Sequence, residues 1–162
     1  MLAELFYELT SIKFIAFLNT HIFMIAILAP WFERNNVDYT LWTIENDSFA
    51  DSDHKVKWNT IRATVILALI ASILVYIGAG FDANNNNSLF SMVILGMTIV
   101  SVIMALTAFT LYHVNKDDMF LGSFSDDDMK WMLFGPTFTL IGFLLNFVIC
   151  IYLSWKFSKR RN

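Results

Sequence analysis

His21, His54 and His113 are the only histidines in the chain, and Cys150 is its only cysteine. Haem in a helical membrane bundle needs histidines that face one another across the interior. Here only His21 falls deep in an apolar run, and His113 lies near the outer end of another. A bis-histidine site does not follow from that placement. A single cysteine allows neither an intramolecular disulfide nor a thiolate metal site. Asp117, Asp118 and the triplet Asp126-Asp127-Asp128 lack the alternation with turn residues and the distal Glu of a calcium loop. They read as a solvated acidic rim. No Gly-rich phosphate loop, metal-binding helix motif or nucleophile elbow occurs. The expectation is a protein that is not an enzyme and carries no cofactor and no metal.

Polar residues inside apolar runs are the other chemical signal. Asn19, Thr20 and His21 lie in the first run, and Asn146 lies in the last. A polar group in hydrocarbon is costly unless it is paired, so such residues commonly join helices to one another. Asn19, His21 and Asn146 are therefore expected to form an intramembrane polar cluster. Small residues four apart, Ala68 with Ser72 and Ser101 with Ala105, allow close helix approach in the same bundle.

The runs that must position these residues dominate the chain. Apolar residues make up 57% of the 162 and charged residues 15%, where a soluble domain carries about a quarter charged residues. Residues 12–31, 60–80, 89–114 and 131–155 are each long enough to cross a hydrocarbon core as a helix, which takes about 20 residues. A soluble bundle would show a polar stripe on every helix, yet 65–80 and 89–111 contain no charged residue. The fold expected is an all-α membrane protein, a left-handed bundle of four transmembrane helices forming a single domain over 1–162. The first run is too long for a signal-peptide core and reads as the first span. Leu2, Leu5, Phe6 and Leu9 share one face of a short interfacial helix before it.

Two loops remain, 32–59 and 115–130, and a polar turn with four consecutive Asn. In the first loop, 38–44 (Asp-Tyr-Thr-Leu-Trp-Thr-Ile) favours a pleated strand, with Val56 and Trp58 on a returning strand. A small extracellular β-sheet built by the first loop, anchored by Trp42, is the expectation. Lys156, Lys159, Arg160 and Arg161 follow the last run, and the positive-inside rule puts that tail in the cytoplasm. Four spans then place both termini inside and both loops outside. Asn46-Asp47-Ser48 in the first loop is a glycosylation sequon, so Asn46 is a candidate acceptor. The basic tail is too short for nucleic acid and suits anionic membrane lipids.

Three short motifs resemble the claudin and peripheral myelin protein superfamily of four-span membrane proteins. Trp31 followed by Leu41-Trp42 is similar to the aromatic and Gly-Leu-Trp elements of that family's first extracellular loop. Arg62 stands where the family has an Arg at the start of its second helix. Phe134-Gly135-Pro136 resembles the opening of its fourth. The likeness covers most of the chain in the order of its parts. It departs at Thr40, which replaces the family's glycine, and in lacking the two cysteines that staple the extracellular sheet. It implies partner-binding or structural roles for Trp31, Leu41, Trp42, Arg62, Phe134, Gly135 and Pro136.

The resemblance implies a non-enzymatic plasma-membrane protein that acts through lateral partners, as an accessory subunit of a larger ion-channel or receptor complex. The alternatives are a cell-adhesion or junction protein that binds itself, and a structural subunit of a larger membrane complex, including an organellar one.

Overall fold

The computed structural model describes residues 2–34, 37–42, 52–85, 88–119, 129–131 and 134–161. Among them are four helices: α1 (Leu2–Leu28), α2 (Ser52–Asn85), α3 (Ser88–Met119) and α4 (Phe134–Arg161). Each packs on the next in sequence, and α1 also packs on α4, which closes a ring. Among the described residues, the apolar parts of α2, α3 and α4 are long enough to cross a membrane, and that of α1, Ile12–Leu28, is shorter.

The helix boundaries depart from the hydropathy runs for identifiable reasons. The first run was expected to stay helical to residue 31, but α1 stops at Leu28. Pro30 disfavours helix in the residue before it, and the Ala29 amide, 2.7 Å from the Ile25 carbonyl, closes the last turn. The N-terminal segment is continuous with α1 rather than a separate helix. α2 starts eight residues earlier than its run, at Ser52. Asp53 sits in its first turn, where the helix dipole favours an acid, and pairs with Lys57 at 3.0 Å. α4 begins at Phe134, not 131. Its third residue is Pro136, in the turn where a missing amide costs nothing.

Three short strands accompany the helices: β1 (Phe32–Arg34), β2 (Val37–Tyr39) and β3 (Met129–Trp131). They pair antiparallel in the order β2-β1-β3, with Phe32 opposite both Tyr39 and Trp131. This ladder differs from the expected first-loop sheet. Of the described residues in 38–44, Asp38 and Tyr39 are in a strand and Leu41-Trp42 is a turn, while 43 and 44 lie outside the described residues. The Thr40 hydroxyl accepts the Trp42 amide at 3.2 Å, a local bond that competes with a ladder. Val56 and Trp58 lie in α2, not in a returning strand. Asn46 and the triplet 126–128 lie outside the described residues.

The bundle buries polar side chains in its interior and turns large apolar ones outward. Its interior holds Asn19, Thr64, Ser72, Ser91, Thr98, Ser101, Thr139 and Asn146 beside alanines, while Phe14, Leu28, Ile103, Leu144 and Ile151 point outward. All four helices contribute to this apolar exterior. A belt of that extent is unsuited to water, and it fits a protein embedded in a membrane.

Candidate functional site

The deepest feature is a polar layer to which each helix gives one side chain. Asn19 of α1, Ser72 of α2, Ser101 of α3 and Asn146 of α4 are all buried. The Asn19 Nδ2 donates to the Asn146 Oδ1 at 2.8 Å and to the Ser72 Oγ at 3.1 Å. The Asn146 Nδ2 donates to the Ser101 Oγ at 2.6 Å, with a longer contact of 3.5 Å to Ser72. Ser101 donates to the Ala68 carbonyl at 3.0 Å. The Ser72 hydroxyl, 3.0 Å from Ser101, must then be the donor in that pair. Donation thus runs in one direction and ends on a backbone carbonyl of α2. One acceptor is left over, the Asn19 Oδ1, which meets no described hydrogen-bond donor.

The neighbouring layers make this closeness possible. Phe23, Ala68, Ala105 and Gly142 lie one turn from the four polar residues on the side toward the sheet. A Cβ on Gly142 would come within 2.7 Å of the Phe23 ring. A side chain at 142 would therefore push α1 and α4 apart and stretch the Asn19–Asn146 bond. Ser72 and Ser101 have one residue of each small-residue pair in the sequence. Their spacing was legible as close packing, but their hydroxyls were not read as partners for the asparagines.

His21 does not join this layer. It is exposed on α1, on the opposite side from Asn19. Its Nδ1 is 2.8 Å from the Phe17 carbonyl, and its ring lies 4.1 Å from that of Phe17. Two residues along a helix turn about 200°, so Asn19 and His21 cannot both face inward. The expected three-residue cluster is therefore two asparagines, completed by two serines. Thr20 is buried but bonds only within α1, to the Ala16 carbonyl at 3.0 Å.

A second cluster caps the bundle at the sheet end. Ser72 lies eleven residues from Ile61 and Ser101 eleven from Tyr112, which places this cap about 16 Å above the polar layer. Trp31 is fully buried at its centre. Its amide donates to Tyr39 at 2.8 Å, its indole Nε1 to Ala26 at 2.9 Å, and its carbonyl accepts the Tyr112 hydroxyl at 2.9 Å. Tyr112 and Trp58 meet the indole edge-on, at 5.0 and 6.0 Å. Such T-shaped pairs add to burial because ring edge and ring face carry opposite partial charge. A Cβ on Gly135 would overlap the Trp31 indole, and the Gly135 amide donates to the Pro30 carbonyl at 3.1 Å. The glycine thus lets α4 sit directly on the tryptophan.

Of the other residues singled out in the sequence, Leu41 is in this cap and fully buried. The Arg62 Nε donates to the Leu41 carbonyl, and its Nη1 to the Asn59 Oδ1 at 3.2 Å. Pro136 is buried. Phe134 and Trp42 point outward, at 58% and 53% exposure. Trp42 was expected to anchor the loop, and the anchor is instead Trp31 with Leu41. Trp58 and Tyr112 are cap residues that the sequence did not reveal. Trp58 was assigned to a strand, and Tyr112 was one aromatic among many in an apolar run.

Among the described residues, no three of His, Cys, Asp and Glu gather as metal ligands would. The outward face of α4 bears an open apolar groove of about 390 Å³ lined by Val148, Ile151, Tyr152 and Trp155. Compared with protein-family models, curated proteins and solved structures, the chain matches none.

Proposed function

We propose that this is a non-enzymatic, claudin-like membrane protein that works through lateral protein partners, as an accessory subunit of an ion-channel or receptor complex. In this reading all four helices span the plasma membrane as a left-handed bundle. Both termini are cytoplasmic, and the cap and its three-stranded sheet lie outside. The resemblance at Trp31, Leu41, Arg62 and Gly135 supports it, since these four converge on one cap.

The observation that carries the proposal is the self-contained polar layer. Its side-chain donors are spent within the layer and on the Ala68 carbonyl, one acceptor, the Asn19 Oδ1, is left over, and it contains no ionisable group. Such a layer locks helices together, and its two hydroxyls have no acid or base among their partners to activate them. Function then falls to the outer surface, which is apolar and suited to other helices and to lipid.

Purification of the full-length chain from its own membranes in a mild detergent tests this. The expected result is one larger membrane protein at fixed stoichiometry. A chain that runs alone, or forms homopolymers concentrated at cell contacts, would overturn the accessory role, and the latter result would point to a junction protein.

A further inference from the structure

His21 is a polar side chain in the wrong place for a helix that meets only lipid. It lies eight residues from Lys13 and seven from Leu28, about 12 and 10 Å along α1. An imidazole is too short to reach a headgroup from there. The outward residues around it, Phe14, Phe17, Leu18, Met24, Ile25 and Leu28, are all large and apolar. Polar groups at this depth are costly in hydrocarbon and normally face protein or water.

The place of the Nδ1 proton follows from the ring's one hydrogen bond. A carbonyl only accepts, so the contact with Phe17 requires a proton on Nδ1. In neutral histidine the Nε2 is then a lone-pair acceptor. No described residue of this chain donates to it. Beside it stand the Phe17 ring and, 5.7 Å beyond, that of Tyr76 on α2. This is an aromatic shelf with the imidazole acceptor at its edge.

We infer that the outward face of α1 around His21 is the docking surface for a transmembrane helix of a different protein, which presents a hydrogen-bond donor to the His21 Nε2. This rests on the reading of the chain as a partner-binding subunit. The partner's side chain is a hydroxyl, carboxamide or indole, since each donates without bringing a charge into the bilayer. A direct His21-to-His21 bond between two copies is disfavoured by the same tautomer: both Nε2 atoms would be acceptors, and changing either tautomer gives up the bond to Phe17. A single polar residue on an apolar helix face also fixes register, as a buried polar residue does in a coiled coil.

The test is site-specific cross-linking of the full-length protein in its own membranes. A benzophenone amino acid replaces Leu18 on this face or, as control, Ile103 on the far side of the bundle. The expected result is a heterologous adduct from position 18 and none from 103, mapped to a transmembrane segment with a donor side chain. His21→Leu should weaken partner recovery about three- to tenfold, the range of a single interhelical hydrogen bond, with unchanged thermal stability. His21→Gln keeps an acceptor oxygen and should retain most of the binding. Removing the partner's mapped donor should give a similar loss, and combining it with His21→Leu should add little. Adducts only to lipid or to a second copy, or full recovery with His21→Leu, overturn the inference. If a partner co-purifies but cross-links from position 103, the accessory reading stands and this surface falls. If no protein partner is found by either route, both fall.

Discussion

Asn19 and Asn146 are 127 positions apart in sequence, yet their carboxamides meet at 2.8 Å inside the bundle. The bond joins α1 to α4, the pair that closes the ring of helices. It is not symmetric in its consequences. Asn146 accepts from Asn19 and donates to Ser101 and, at longer range, Ser72, whereas Asn19 keeps an unsatisfied carbonyl oxygen.

Removing the two residues should therefore cost different amounts. Asn146→Ala leaves the amide of Asn19 and the hydroxyl of Ser101 short of partners. Asn19→Ala also takes away a buried acceptor that was never satisfied. With interhelical hydrogen bonds in membranes worth about 0.6 kcal/mol on average and up to about 1.7, Asn146→Ala should cost about 2 kcal/mol and Asn19→Ala about 1. Thermal unfolding of both variants and the double mutant in detergent checks this. Equal losses, or strict additivity, would show that the network does not share its bonds as drawn.

Among the described glycines, Gly135 is the one least able to accept a methyl group. The Cβ would enter the Trp31 indole, and Trp31 is held by its amide, its indole N–H and its carbonyl at once. The ring cannot shift without breaking one of these. Gly135→Ala should destabilise by about 1–3 kcal/mol, the usual range for overpacking. Gly96 is the control, since it sits within α3 with nothing near its absent Cβ. Gly96→Ala should stabilise by up to about 1 kcal/mol through helix propensity alone. Yields of folded protein and melting temperatures should move in opposite directions for the two variants.

Leu41 and Trp42 are adjacent and should behave oppositely to their sizes. Leu41 is fully buried in the cap, and its carbonyl accepts from Arg62. Leu41→Ala should cost about 2–4 kcal/mol. Trp42→Ala should stay within about 0.5 kcal/mol, as expected for an exposed side chain. Arg62→Lys removes the Nε donor, and a lysine cannot reach both Leu41 and Asn59. It should lower the melting temperature and speed proteolysis of the first loop. A Trp42→Ala variant as damaged as Leu41→Ala would restore Trp42 as the anchor.

The helices were legible because long charge-free runs have no other stable form in lipid. Which way each side chain faces was not legible. In a bilayer the outer face is as apolar as the core, so periodicity cannot separate Phe23, which packs inside, from Phe17, which points out. His21 was misplaced for that reason: its depth could be read, but its direction could not. Trp58 was misread because tryptophan and valine in a short window resemble a strand, whereas Asp53, which sits in the first turn of α2 and pairs with Lys57, lies upstream of Val56. Gly135 was singled out by its motif, but only the structure shows that Trp31 is what fills the missing side chain's place.

Orientation can be checked with two residues at opposite ends of the bundle. Ser52 is exposed at the start of α2, beside the cap, and Ser158 is exposed near the end of α4. Lys156, Lys159, Arg160 and Arg161 surround the second position, and short basic segments next to a span are retained in the cytoplasm. In a Cys150→Ser background, Ser52→Cys should react with a membrane-impermeant maleimide on intact cells, and Ser158→Cys only after permeabilisation. Because the two sites lie at opposite ends, any single orientation requires reciprocal labelling. Reversed labelling would invert the protein, placing the cap and its sheet in the cytoplasm. Labelling of both on intact cells would mean two orientations, and a single outward-facing cap could not then serve one partner.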